Sequence, residues 1–74
     1  MLDKSEQQTV FERRFGYTAI REDIITPDQL VEALEVQISE ETNSGEHRLI
    51  GEILRGLKYM NKEQIEKTMN IISG

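Results

Sequence analysis

An all-α domain of four short helices, arranged as two tandem helix-turn-helix repeats in a small bundle, is the architecture this sequence predicts. The chain matches itself at an offset of 35 residues, each copy carries the same helix-start signature, and no segment alternates with the period of a strand. At that offset Gly16 falls on Gly51, Ile25 on Met60, Thr26 on Asn61, Gln29 on Gln64, Leu30 on Ile65 and Leu34 on Met69. The expected organisation is a flexible N-terminus over residues 1–8 and a single helical domain over 9–74. Within it, repeat one covers about 11–38, a loop 40–47 and repeat two about 48–72.

The elements follow in order. Val10, Phe11, Phe15, Thr18 and Ala19 make the apolar face of a first helix. Thr26-Pro27-Asp28-Gln29 then reads as an N-cap, a proline at the first helical position and a capping-box partner. Ile25 and Leu30 occupy the positions of a hydrophobic staple around it. Leu30, Leu34, Gln37 and Ile38 continue that second helix, which starts near residue 27. The stretch from Glu40 to His47 is polar and rich in breakers, as a surface loop would be. Leu49, Ile50, Ile53, Leu54 and Leu57 face a third helix. Asn61-Lys62-Glu63-Gln64 repeats the capping box, with Met60 and Ile65 as its staple, so a fourth helix starts near residue 62. Its Ile65, Met69 and Ile72 are expected in the core.

Composition removes several classes of function. A chain of 74 residues without cysteine has neither disulfides nor thiolate zinc ligands, and its small core would gain from dimerisation. The net charge is −5, and from Glu22 to His47 eight carboxylates occur with no lysine or arginine. That stretch repels a phosphate backbone and argues against nucleic-acid binding. A DNA-reading helix-turn-helix is opposed for the same reason, because its second helix would carry Asp28, Glu32 and Glu35 into the major groove. From Arg48 to Lys67 the balance reverses, with five bases against three acids. No apolar run is long enough to span a bilayer, and Met1-Leu2-Asp3-Lys4 lacks the apolar core of a signal peptide. A cytoplasmic protein without membrane insertion is the expectation.

Catalytic chemistry finds no foothold. The serines have no partnered histidine and carboxylate, and no Gly-x-x-x-x-Gly-Lys loop is present to hold a nucleotide phosphate. His47 is the single histidine and sits in the expected loop with only carboxylates nearby, so neither a metal site nor a resident cofactor is expected.

Arg14-Phe15-Gly16, Ile24-Ile25-Thr26-Pro27-Asp28-Gln29-Leu30, Ala33-Leu34 and Gln37 together resemble the MshEN motif. MshEN is the N-terminal domain of type II secretion and type IV pilus assembly ATPases. Leu49-Ile50-Gly51-Glu52-Ile53-Leu54 and Met60-Asn61-Lys62-Glu63-Gln64-Ile65 look like a second copy, so the resemblance runs from about 11 to 72. The family is helical, and some members bind the bacterial second messenger cyclic di-GMP. The resemblance implies ligand positions at Arg14, Gly16, Leu30, Leu34 and Gln37, with Arg48 and Gly51 from the second copy. The chemistry suits a guanine base: an arginine plane stacks and forks hydrogen bonds, glycine lets a ligand approach the backbone, and glutamine donates and accepts.

Motif two departs from the pattern. Its arginine position holds Leu49, with Arg48 one residue early, and its terminal glutamine position holds Ile72. The glycine before each turn is replaced by Asp23 and Lys58, and the link between the motifs is long for the family. Arg14 could equally be a solvated charge near Glu6 or Glu22, and Gly16 and Gly51 could serve only close helix crossing. The functional expectation is therefore a non-enzymatic interaction or regulatory module, standing apart from any ATPase engine and binding another protein or a second copy of itself. A cyclic di-GMP receptor is the alternative.

Overall fold

The computed structural model describes residues 4–74, with side chains from residue 10 onward. Four helices occupy it: α1 (Lys4–Arg21), α2 (Pro27–Ser44), α3 (Ile50–Gly56) and α4 (Lys62–Ser73), with no strand among the described residues. The first three residues of the expected flexible N-terminus lie outside the described residues, and from Lys4 the chain is already helical.

Both expected helix starts are made by complete capping boxes. The Gln29 backbone N–H donates to Thr26 Oγ1 at 3.1 Å, and the Thr26 N–H returns a bond to Gln29 Oε1 at 2.9 Å. Asn61 and Gln64 repeat the exchange at 2.8 and 2.9 Å. Each box satisfies two donors that the first helical turn would otherwise leave open.

The helix stops preceding these caps are also copies. The Ile24 N–H reaches back to the Ala19 carbonyl at 2.9 Å, and the Asp23 N–H to Ile20 at 3.0 Å. Shifted by 35 residues, Tyr59 bonds Leu54 at 2.9 Å and Lys58 bonds Arg55 at 3.0 Å. This pair of bonds is a Schellman motif, which requires a left-handed residue at its turning point. Asp23 (φ 60°) and Lys58 (φ 67°) supply it. The two positions at which the MshEN pattern expects glycine are thus, among the described residues, the two non-glycine ones that take the conformation glycine favours.

Helix pairing follows the repeat. The helices packed together most extensively are α1 with α4, α2 with α3, and α1 with α3, whereas α1 meets α2 at Gly16 and Leu30 and through the Glu12–Gln37 bonds. The offset carries α1 onto α3 and α2 onto α4, so the α1–α4 contact becomes the α3–α2 contact. The two halves are therefore interlocked about an approximate twofold axis between α1 and α3. The core draws on both: Phe15, Ala19, Ile25 and Ala33 from repeat one, and Ile50, Ile53, Leu54 and Met60 from repeat two. Glycine permits close approach at two points. A Cβ on Gly51 would stand 3.0 Å from the buried Phe15 ring, and one on Gly16 would stand 2.9 Å from the Leu30 side chain.

Three expectations need correction. The loop expected over 40–47 is shorter, because α2 continues to Ser44 and ends at Gly45 in the left-handed region (φ 74°), whose N–H bonds Glu41. Ser44 Oγ donates to the Glu40 carbonyl, so these polar residues complete the helix rather than break it. On α4 the fully buried side chain is Thr68, whose hydroxyl is satisfied by the Gln64 carbonyl at 2.8 Å, while Met69 is exposed and Ile65 and Ile72 are only partly covered. On α2 the buried positions are Ala33 and Gln37, which turns Leu34 and Ile38 outward. Leu30, Gln37, Ile65 and Ile72 do lie toward the core, so the apolar pattern placed both faces and erred at Leu34, Ile38 and Met69.

A left-handed conformation strains a lysine more than an aspartate, whose short polar side chain tolerates it. Lys58→Gly should stabilise the domain by about 0.5–1 kcal/mol after allowing for the freer unfolded chain, and Asp23→Gly by less. Urea denaturation of the two variants reads both effects. The opposite order would mean that these turns are not strained as described.

Candidate functional site

Two surface depressions flank the approximate axis. The larger, about 470 Å³, is a groove between α1 and α2. Arg13, Tyr17 and Ile20 form its α1 wall, Leu30, Leu34, Gln37 and Glu41 its α2 wall, and Ile50, Glu12 and His47 its floor and end. The smaller, about 240 Å³, lies between α3, α4 and the middle of α1 and includes Phe11, Phe15, Leu49, Gly51, Ile65 and Met69. These are copies of each other: Leu30 and Leu34 in the groove correspond to Ile65 and Met69 in the cleft. Their difference in size follows from helix length. Helix α3 begins at Ile50, the counterpart of Phe15, so the turns of α1 before Phe15 have no partner in repeat two.

That unpaired part of α1 carries Glu12, on which several elements converge. Its carboxylate accepts from Gln37 Nε2 at 3.2 and 3.3 Å and from the Ile50 backbone N–H at 3.1 Å. The second bond caps α3, whose own N-cap residue, Leu49, makes no side-chain cap. His47 Nε2 lies 3.7 Å from the same carboxylate, and its Nδ1 meets Glu41. Gln37 places its other amide proton on the Arg48 carbonyl at 2.8 Å. Arg48 in turn forks to Glu40, with Nε and one terminal nitrogen at 2.8 and 2.6 Å from the two oxygens. The hydrogen bonds from Arg48 hold the Glu40 carboxyl below its ordinary value. Across the domain, the Glu32 carboxylate beside Tyr59 pushes that phenol upward.

The residues implied by the MshEN resemblance are only partly brought together. Leu30, Leu34 and Gln37 share the groove, and Gly16 lies beneath Leu30. Gly51 belongs to the cleft. Arg14 is exposed on α1, outside the groove lining, in a shallow surface with Thr18, Ile71, Ile72 and Tyr17, the last of which also borders the groove. Arg48 is held by Glu40. Arg14 does not line the groove that holds Leu34 and Gln37, and both amide protons of Gln37 are engaged within the protein. Among the described residues, no group of three histidines or carboxylates is arranged to hold a metal ion.

Comparison with protein-family models, curated proteins and solved structures finds no match.

Sequence reasoning did not single out Glu12; it placed His47 in a loop with only carboxylates nearby, and there it lies, exposed beside Glu41 and Glu12. One signal was available. Glu12 and His47 stand 35 residues apart, so they occupy the same position in the two repeats, and the structure shows that this position lies near the axis between α1 and α3.

Truncating Glu12 to Ala removes a charge-assisted network and should cost about 2 kcal/mol, a fall in Tm of roughly 10 °C for a domain this small. Glu12→Gln keeps one acceptor oxygen and should cost less. Thermal melts followed by circular dichroism measure both, and an unaffected Ala variant would remove Glu12 from its central role. The Glu40–Arg48 pair makes a prediction in pH. Because the folded carboxyl lies below its ordinary 4.5, its contribution is complete above that value and is lost as pH falls through the lower folded one. The stability gap between the wild type and Arg48→Met should accordingly be constant at neutral pH and close in acid.

Proposed function

We propose that this chain is a non-enzymatic protein-interaction module with the tandem architecture that its resemblance to MshEN implies. The observation that carries the reading is the apolar surface left open beside the groove, where Tyr17, Val31, Leu34 and Ile38 stand well exposed on a domain whose core has no use for them. A buried role for such residues needs a second surface. Support also comes from the partly buried polar network of Glu12, Gln37 and the Ile50 N–H, whose groups are spent on joining α1, α2 and α3. No helix among the described residues is long and apolar enough to cross a membrane.

The cyclic di-GMP reading needs Arg14, Gly16 and Gln37 to act on one ligand, with help from Arg48. The separation of Arg14 from the groove and the engagement of Gln37 and Arg48 favour the interaction reading over it. A thermal melt with and without excess cyclic di-GMP tests the choice. A ligand at a hundred times its Kd would stabilise by about 2.7 kcal/mol and raise Tm by many degrees. The expected result is no shift. A shift that disappears in Arg14→Ala would make the domain a nucleotide receptor.

A further inference from the structure

We infer that the groove between α1 and α2 receives a single amphipathic helix of another protein, with an apolar stripe and a basic edge. The inference rests on the interaction-module reading and specifies its surface and the chemistry of its partner.

The shape comes from the interlocked fold. Because α1 packs on α4 and α2 on α3, the helices of repeat one stand apart with a groove between them. On α2 each residue advances about 100°. With Ala33 and Gln37 facing the core, Leu34, Ile38 and Val31 follow one another around one flank, from the groove toward solvent. Their exposures are 40%, 61% and 51%, and Tyr17 on the opposite wall is 66% exposed. Val31, Leu34 and Ile38 have the three- and four-residue spacing of a helix-packing seam.

Charge selects the occupant. Beyond the stripe, α2 presents Asp28 and Glu35, seven residues apart and on one edge. Helix α2 contains five carboxylates and no base, and the pairing of Glu40 with Arg48 leaves that outer edge acidic. Two copies packed α2 against α2 through this stripe would set acid against acid, while Arg13, the arginine lining the groove, stands on the opposite α1 wall and leaves the α2 edge acidic. A helix with lysine or arginine along one side of its apolar stripe satisfies both features.

Three synthetic helices test the inference against the whole chain: leucine-striped with lysine flanks, leucine-striped with glutamate flanks, and serine-striped with the same lysines. In NMR titrations the first should bind and shift the resonances of Tyr17, Val31, Leu34 and Ile38, and the others should bind at least about tenfold more weakly. Ile38→Glu and the charge reversal Glu35→Lys, both at exposed positions, should keep the circular dichroism spectrum and weaken binding by about tenfold or more. Equal binding of the glutamate-flanked helix, shifts centred on Leu49 and Met69, or a dimer sealed by the stripe in sedimentation equilibrium would each overturn it. A photocrosslinker at position 38 separates the two levels of the argument. A discrete adduct with a different protein in cells, without binding of the lysine-flanked helix, overturns the basic-helix inference and leaves the interaction module standing. Absence of both overturns both.

Discussion

The Glu12 carboxylate is the constraint on which the arrangement of this domain depends. It lies on α1 yet caps α3, holds Gln37 of α2 and meets His47 of the connecting segment. A carboxylate removed from much of its solvent must be compensated by donors, and here the donors come from every element bordering the groove. The position of α3 relative to α1 is therefore fixed by polar geometry as well as by the packing of Phe15 and Ile50. The same bond explains how so short a helix can begin without a capping side chain of its own.

Repetition and its failure both shape the surface. The caps and the Schellman turns are reproduced bond for bond, because each depends on only a few neighbouring residues. The helices are not reproduced: α1 has 18 residues and α3 has 7. An exact duplicate would have produced two equal grooves. The shortened third helix leaves one roomy and polar at its end, the other small and apolar. The domain thus offers two unlike surfaces from one motif, and the groove of repeat one has the richer chemistry.

Local features were legible in the sequence and long-range ones were not. Thr26, Gln29, Asn61 and Gln64 announced two helix starts because a capping box is written in four consecutive residues. Asp23 and Lys58 were visible as departures from glycine, though their left-handed backbone could be seen only in the structure. The faces of α2 and α4 were placed, with Gln37 buried as part of the expected one, but Leu34, Ile38 and Met69 are exposed while the less apolar Ala33 and Thr68 beside them are buried. Tight helix contact selected small or hydrogen-bonded side chains over large ones at those positions. The site residues divided along the same line: Leu30, Leu34 and Gln37 share one helix and stay together, while Arg14, Arg48 and Gly51 depended on tertiary placement and are dispersed.

The interlocked pairing also bears on how the chain reaches its native state. Each half buries its apolar side mainly against the other, so neither owns a core that could persist alone. During synthesis, repeat one would emerge with Phe15, Ala19 and Ile25 uncovered until α3 and α4 followed. Its two helices could form in the meantime, but they could not settle against a partner. Folding is in this respect a single event gated by the last helix, and a break anywhere in the connecting segment converts one molecule into two mutually dependent fragments.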